Sequence, residues 1–143
     1  MIIKEYLRNI QKISKGDPFY PWVIRTGKHF TSLKRQPYKE LIEKYRHGTK
    51  SRQCYYNSQM MTINSSGKIS YYEGWYVTEG IPFPLEHGFN VYNGKVIDTT
   101  AYGKHGVNEY FGVRIPLSFI QKSVFETGMA EAILYKYFRS KNN

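Results

Sequence analysis

The segment His87-Gly88-Phe89-Asn90-Val91-Tyr92-Asn93-Gly94-Lys95-Val96-Ile97-Asp98-Thr99-Thr100 limits the fold more than any other stretch of the chain. Asn-Gly between two β-rich runs is the strongest short-range hairpin signal, because both residues accept the positive φ of a type I′ turn. With Asn93 and Gly94 as the loop, Tyr92 pairs with Lys95, Val91 with Val96, Asn90 with Ile97 and Phe89 with Asp98. Side chains alternate between the two faces of a strand. His87, Phe89 and Val91 therefore share a face with Val96, Asp98 and Thr100, and His87 and Asp98 become diagonal neighbours. A slip of one residue would send one of the two to the opposite face. A carboxylate so placed can accept one imidazole N–H and fix the tautomer of the ring, whereas Asn90 points away from His87.

The hairpin has a partner upstream. Cys54 is the only cysteine of the 143 residues, so an intrachain disulfide is ruled out and a reducing compartment such as the cytoplasm suits the thiol. A helix is expected over about 53–62, capped by Thr49 or Ser51 and ended by 64–67, which puts Cys54 at its N-terminus. Unpaired N–H groups and the helix dipole lower the pKa of a thiol there. The same N–H groups can hold an oxyanion. Cysteine, histidine and aspartate in this order form a candidate nucleophile, base and orienting group. Gln53 beside the nucleophile is a candidate oxyanion donor. Glu73 and Glu86 are candidates for a supporting shell of the cleft, or for pairing with an arginine. A mixed zinc set of Cys54, His87, Asp98 and His105 is the rival chemistry, but it has no closely spaced ligand pair. No cofactor and no metal are called for.

The rest of the chain reads as helices, then strands, then helices in one α+β domain spanning 1–143. Ile3, Tyr6, Leu7, Ile10 and Ile13 have helical spacing, ended by Gly16 and Pro18. Residues 17–35 read as irregular. Pro37 suits a first helical position, Leu41, Ile42 and Tyr45 give that helix an apolar face, and Gly48 can cap its end. The stretch from Ile69 to Glu79 and the run Tyr110 to Ile115 read as strands. Pro116 opens a helix to about Thr127, Gly128 breaks it, and a last helix is expected from Met129. Tyr55, Tyr56, Trp75 and Tyr76 are candidates for a groove or for the core.

The formal net charge of +10 favours acidic partners through long-range steering. The basic residues, densest from Lys28 to Arg52, are dispersed and match no zinc-finger or RNP motif, which weighs against nucleic acid as a partner. No apolar run approaches the length of a membrane span, and the N-terminus has no signal-peptide pattern.

Gln53-Cys54-Tyr55, Glu86-His87-Gly88-Phe89, Asn93-Gly94 and Val96-Ile97-Asp98-Thr99-Thr100 together resemble the transglutaminase-like branch of the papain-like superfamily. The pattern there is a cysteine, a later His-Ala-Trp, a glycine turn and Asp-Pro-Thr. Tyr71-Tyr72-Glu73-Gly74, Glu86-His87 and Tyr110-Phe111-Gly112-Val113 are similar to a narrower, uncharacterised group of phage and bacterial proteins. The likeness covers about 50–125. Gly88-Phe89 stands for Ala-Trp, and Thr99 for the proline after the aspartate.

The resemblance implies a papain-like fold with the nucleophile on a helix N-terminus before an antiparallel sheet. It also implies a thiol-dependent hydrolase or acyltransferase acting on an amide, ester or thioester carbonyl of a protein or peptide. The alternative is a phage-encoded binding protein without catalysis that docks on an acidic host protein or nucleic acid, in which case the host cytoplasm is its compartment.

Overall fold

The computed structural model describes residues 2–31, 35–46, 48–101 and 107–142. The first helix, α1 (Ile2–Ile13), buries Ile3 and Leu7, two residues of the predicted stripe. Its N-terminus is held by a distant carboxylate: Glu109 Oε1 accepts the N–H of Ile3 at 2.8 Å, which satisfies a group the helix cannot pair internally.

The stretch 17–35, read as irregular, instead carries α2 (Phe19–Thr26) and β1 (Lys28–Thr31). The prolines that suggested a break help to start the helix. Pro18 is its N-cap residue and Pro21 falls in its first turn, where a missing N–H removes no helical bond. Burial of Phe19, Trp22 and Val23 then holds α2 in place.

The next helix, α3 (Lys39–Tyr45), begins two residues later than Pro37 suggested, after Tyr38 in a left-handed conformation at φ 58°. It ends at Arg46, ahead of Gly48. Ile42 packs with Met61, Ile69 and Ile97.

The helix carrying the cysteine, α4, runs Cys54–Asn64. Its N-cap residue is Gln53, in place of Thr49 or Ser51, and no side chain caps it. Ser66 and Gly67, both at positive φ, end it as expected.

Four more strands follow: β2 (Ser70–Thr78), β3 (Leu85–Tyr92), β4 (Lys95–Ile97) and β5 (Val107–Ile115). After Pro116 comes α5 (Leu117–Thr127), closed by Gly128 at φ 73°. The last helix, α6 (Leu134–Asn142), starts five residues later than the apolar pattern indicated. Residues 129–133 are not helical, because a carboxylate from the sheet defines where α6 begins.

The five strands form one antiparallel sheet in the order β1-β5-β2-β3-β4. The sheet curls until β1 and β4 approach each other. Helices α1, α2, α5 and α6 cover one face, where Leu7, Trp22, Tyr71, Phe111, Ile115 and Ile120 share a core. On the other face the curl encloses Tyr72, Phe89, Val91, Val96 and Tyr110, with Phe30 packed against them. The result is a mixed α+β fold with N- and C-terminal helices flanking a curled antiparallel sheet. Among the described residues no helix is long and apolar enough to cross a membrane.

One glycine pair permits the tight pairing of β2 and β5. Gly74 lies opposite Gly112, and a Cβ on Gly74 would stand 2.1 Å from the carbonyl oxygen of Phe111. The same Gly74 is the β2 neighbour of His87.

Candidate active site

The hairpin has the register that the Asn-Gly turn dictates: Tyr92 pairs with Lys95, Val91 with Val96 and Asn90 with Ile97. The ladder stops there, and Asp98 follows as the first residue beyond β4. His87 Nε2 and Asp98 Oδ2 are 2.7 Å apart. Both residues are 3% exposed, so water screens the pair little.

Asp98 uses its whole carboxylate. Oδ2 also accepts the Tyr110 hydroxyl at 2.8 Å, and Oδ1 accepts the N–H groups of Thr100 and Ala101 at 3.0 Å each. Its own N–H donates to Gln36 Oε1 at 2.9 Å. Burial pushes this acid upward, but the charge and hydrogen bond of His87, with the Ala101 N–H and the Tyr110 hydroxyl, bring it below the usual value. The complementary effect acts on His87. Burial lowers its pKa, while the charge and hydrogen bond of Asp98, followed by the hydrogen bond and charge of Cys54, raise it to about 9. The Asp98 carboxylate thus favours the protonated imidazole. Tyr76 covers the ring, with centroids 4.2 Å apart and planes inclined by 34°.

Cys54 is half-buried at the first position of α4. Its helix is seated by neighbours of His87. A Cβ on Gly88 would lie 3.0 Å from both Ser58 Oγ and Tyr55 Cδ1, so glycine at this position lets the first turn of α4 rest on β3. Asn90, on the opposite face from His87, fastens the same helix: its Nδ2 donates to the Ser58 carbonyl at 2.9 Å and lies 3.2 Å from Thr62 Oγ1. Asn57 joins three segments. It exchanges two 2.7 Å bonds with the backbone of Lys50, before the cysteine, and donates to Thr100 Oγ1 at 2.8 Å, in the turn after Asp98.

Cys54 and His87 line one cavity of about 390 Å³, with Arg52, Tyr76, Glu86 and Thr100 also in its wall. Nε2 of His87 is committed to Asp98, so Nδ1 is the ring nitrogen left for the thiol. No side chain caps α4, and helical geometry gives the first N–H groups of such an end no internal partner. Chemically, the site can hold a proton on an oriented imidazole beside a sulfur and offer N–H donors to developing negative charge.

The supporting candidates separate. Gln53 is exposed and absent from the cavity wall. Glu86 is exposed and lies on that wall. Glu73 is buried and has no arginine partner among the described residues; it caps α6 instead, accepting the N–H groups of Ile133 at 2.8 Å and Leu134 at 2.7 Å and the Tyr71 hydroxyl at 2.7 Å. Trp75 is core, Tyr76 covers His87, and Tyr56 lies beneath the ammonium of Lys50 at 4.3 Å.

His29 lies 3.9 Å from Glu109 Oε2. Two other histidines, His47 and His105, fall outside the described residues, and with His105 falls part of the zinc set. Among the described residues no three of His, Cys, Asp and Glu are grouped to hold a metal ion.

Sequence reasoning missed Tyr110 and Gln36 as partners of Asp98. Tyr110 reaches Asp98 only through the pairing of β5 with β2 and of β2 with β3, a register that carries no local turn signal.

No family model, curated protein or solved structure matches the chain.

Proposed function

We propose that the protein is a thiol-dependent hydrolase or acyltransferase of the papain-like, transglutaminase-like kind, with Cys54 as nucleophile, His87 as acid and base, and Asp98 as the residue that orients His87. The observation that carries this reading is the buried 2.7 Å His87–Asp98 pair, whose His87 lines one cavity together with the chain's single cysteine. In a structural pair alone, nothing would require a nucleophile at the open side of the ring.

His87 holds the thiol proton on Nδ1 while its Nε2–H donates to Asp98. The Cys54 sulfur attacks the carbonyl carbon of an amide, ester or thioester. The resulting oxyanion takes hydrogen bonds from the free N–H groups at the start of α4, beginning with that of Cys54. As the intermediate collapses, the bond to the leaving group breaks and the Nδ1 proton passes to that group, leaving an acyl-enzyme and a neutral imidazole. His87 then takes a proton from water, which attacks the acyl carbon and releases the acid and the thiol. An amine in place of water makes the same site an acyltransferase. A lone thiol of this kind works best in a reducing compartment such as the cytoplasm.

The test needs no substrate. Iodoacetamide labelling, followed by mass spectrometry over a pH series, reads the reactivity of a single thiol. The folded protein should be alkylated at about pH 6 clearly faster than a free thiol, whose ordinary pKa is about 8.5. His87→Ala should return the profile to that of an ordinary cysteine. Labelling only after unfolding would overturn the reading. Ready labelling indifferent to His87→Ala would favour the alternative, a basic protein that binds an acidic partner without catalysis.

A further inference from the structure

A second cavity, of about 310 Å³, adjoins the first: Glu86 belongs to the wall of both, and Tyr55, in the wall of the second, directly follows Cys54. Its composition is opposite to that of the chain. The protein has 21 Lys and Arg against 11 Asp and Glu, yet three carboxylates, Asp17, Glu73 and Glu86, line this cavity and no Lys, Arg or His does. Among the described residues neither Asp17 nor Glu86 forms an ion pair. The remaining wall is largely aromatic, with Phe19, Tyr20, Tyr55, Trp75 and Tyr135. Phe19 packs edge-on against both Tyr20 and Tyr135, at 5.2 and 5.3 Å between ring centroids.

The carboxylates are not equivalent. Glu73 lies deepest, 4% exposed, and its oxygens are already engaged by the start of α6 and by Tyr71. Asp17 and Glu86 are exposed. Asp17 gives only one oxygen to a local bond, accepting the N–H of Phe19 at 2.9 Å. The fields of these groups converge: Asp17 and Glu86 both act on the Tyr20 hydroxyl, while Glu73, Cys54 and Glu86 all act on that of Tyr55. The aromatic faces and unpaired carboxylates together suit a flat or compact organic cation, which rings attract electrostatically and carboxylates bind by charge-assisted hydrogen bonds.

We infer that this cavity is a specificity pocket that receives a cationic side chain, arginine or lysine, of the substrate whose carbonyl is presented to Cys54. The assignment of the pocket to a substrate rests on Cys54 being the nucleophile; the binding of a cation does not. A protein of charge +10 repels cations at long range, so a measured preference for a cationic ligand has to come from local groups.

Two measurements separate the pocket from the chemistry. The first is calorimetric binding of N-acetylagmatine, N-acetylcadaverine and uncharged N-acetylpentylamine to Cys54→Ala. At least one cation should bind about tenfold or more tightly than the neutral compound, the size of a charge-assisted contact. Guanidinium against ammonium tells an arginine pocket from a lysine pocket. Asp17→Asn should lower the cation-to-neutral ratio severalfold. Equal binding of cation and neutral compound, or no binding of any, overturns the proposal. The second is alkylation of Cys54 by the iodoacetyl derivatives of agmatine and of pentylamine. A cationic derivative that reacts faster, by a ratio that Asp17→Asn reduces, ties the pocket to the thiol. Cation binding without that ratio overturns the assignment to the substrate. Failure of His87-dependent labelling with plain iodoacetamide overturns the nucleophile reading, and with it the substrate assignment, while the calorimetric ratio still decides whether the pocket binds cations.

Discussion

Glu73 and Asp98 are both buried carboxylates, both tied to a tyrosine hydroxyl, and their environments drive them in opposite directions. Glu73 accepts two backbone N–H groups and the Tyr71 hydroxyl. Burial outweighs these three neutral donors, and with the charge of Glu86 it raises the pKa from 4.5 to about 7. Asp98 accepts two backbone N–H groups and the Tyr110 hydroxyl, and it has one further partner, the His87 ring. That cation brings Asp98 below its ordinary value. Equal sets of neutral donors thus leave the outcome to the single charged partner, since a hydrogen bond to a formal charge in a dry site counts for more than one to a neutral dipole. The same difference separates their roles. Glu73 fixes the start of α6, whereas Asp98 pairs with His87, which shares a cavity wall with Cys54.

The strongest way to break this comparison is to remove the charge on one side. Asp98→Ala leaves the His87 ring buried without its anion and should lower stability by about 3–5 kcal/mol, the usual effect of breaking a buried pair. Urea denaturation measures it. Asp98→Asn keeps the shape and removes only the charge. In that variant burial is opposed only by Cys54, and the NMR titration of His87 should fall clearly from about 9. A His87 still titrating near 9 would mean that Asp98 is not what holds its proton. In the wild type, the contribution of His87 is complete below 6.5 and fades as pH rises through about 9. That of Asp98 is present above its ordinary 3.8 and fades only as pH falls through its lowered folded value.

A smaller effect is expected at Glu73, with the pH trend reversed relative to Asp98. Its folded pKa is raised, so the stability tied to its protonated form is complete below 4.5 and is lost as pH rises through about 7. Glu73→Gln mimics that protonated form. The variant should be about 1–2 kcal/mol less stable than the wild type near pH 5, from imperfect bonds at the start of α6. The gap should close or change sign by about pH 8, as the wild type takes on a buried charge. Denaturation curves at several pH values decide it, and a gap constant with pH would remove the contrast between the two carboxylates.

The smallest effects sharpen the comparison. Tyr71→Phe and Tyr110→Phe each delete one hydroxyl donor, at 2.7 and 2.8 Å from their carboxylates, for about 1 kcal/mol apiece. The first should raise the Glu73 titration further. The second should leave Asp98 ionised through the neutral range, because His87 remains. Carboxyl carbon chemical shifts followed against pH distinguish the two cases.

The parts of the site legible in the chain were those governed by local rules. Asn93-Gly94 sets a two-residue turn, the turn sets the register, and alternation of side chains puts His87 near Asp98. A helix carrying Cys54 near its start was expected from the turn and cap residues that flank it, 49–51 and 64–67. The identity of its N-cap residue was not, because Gln53 stands there without a side-chain capping bond that a sequence motif could reveal. In α2 the prolines misled the reading, since a breaker at an interior position is a starter in the first turn.

The amino-acid sequence by itself determined the hairpin, its register, the helix that begins with Cys54 and the basic character of the surface, because each depends on residues within a few positions of one another. Only the tertiary structure decided that α4 rests on β3 at Gly88, that Tyr110 joins Asp98, that Glu73 caps a helix beginning 61 residues later, and that three carboxylates of a basic chain meet at one cavity. Those arrangements come from strand pairings and helix–sheet packing between distant segments. Burial and shape select such contacts once the chain has folded, and no period or turn motif in the sequence encodes them.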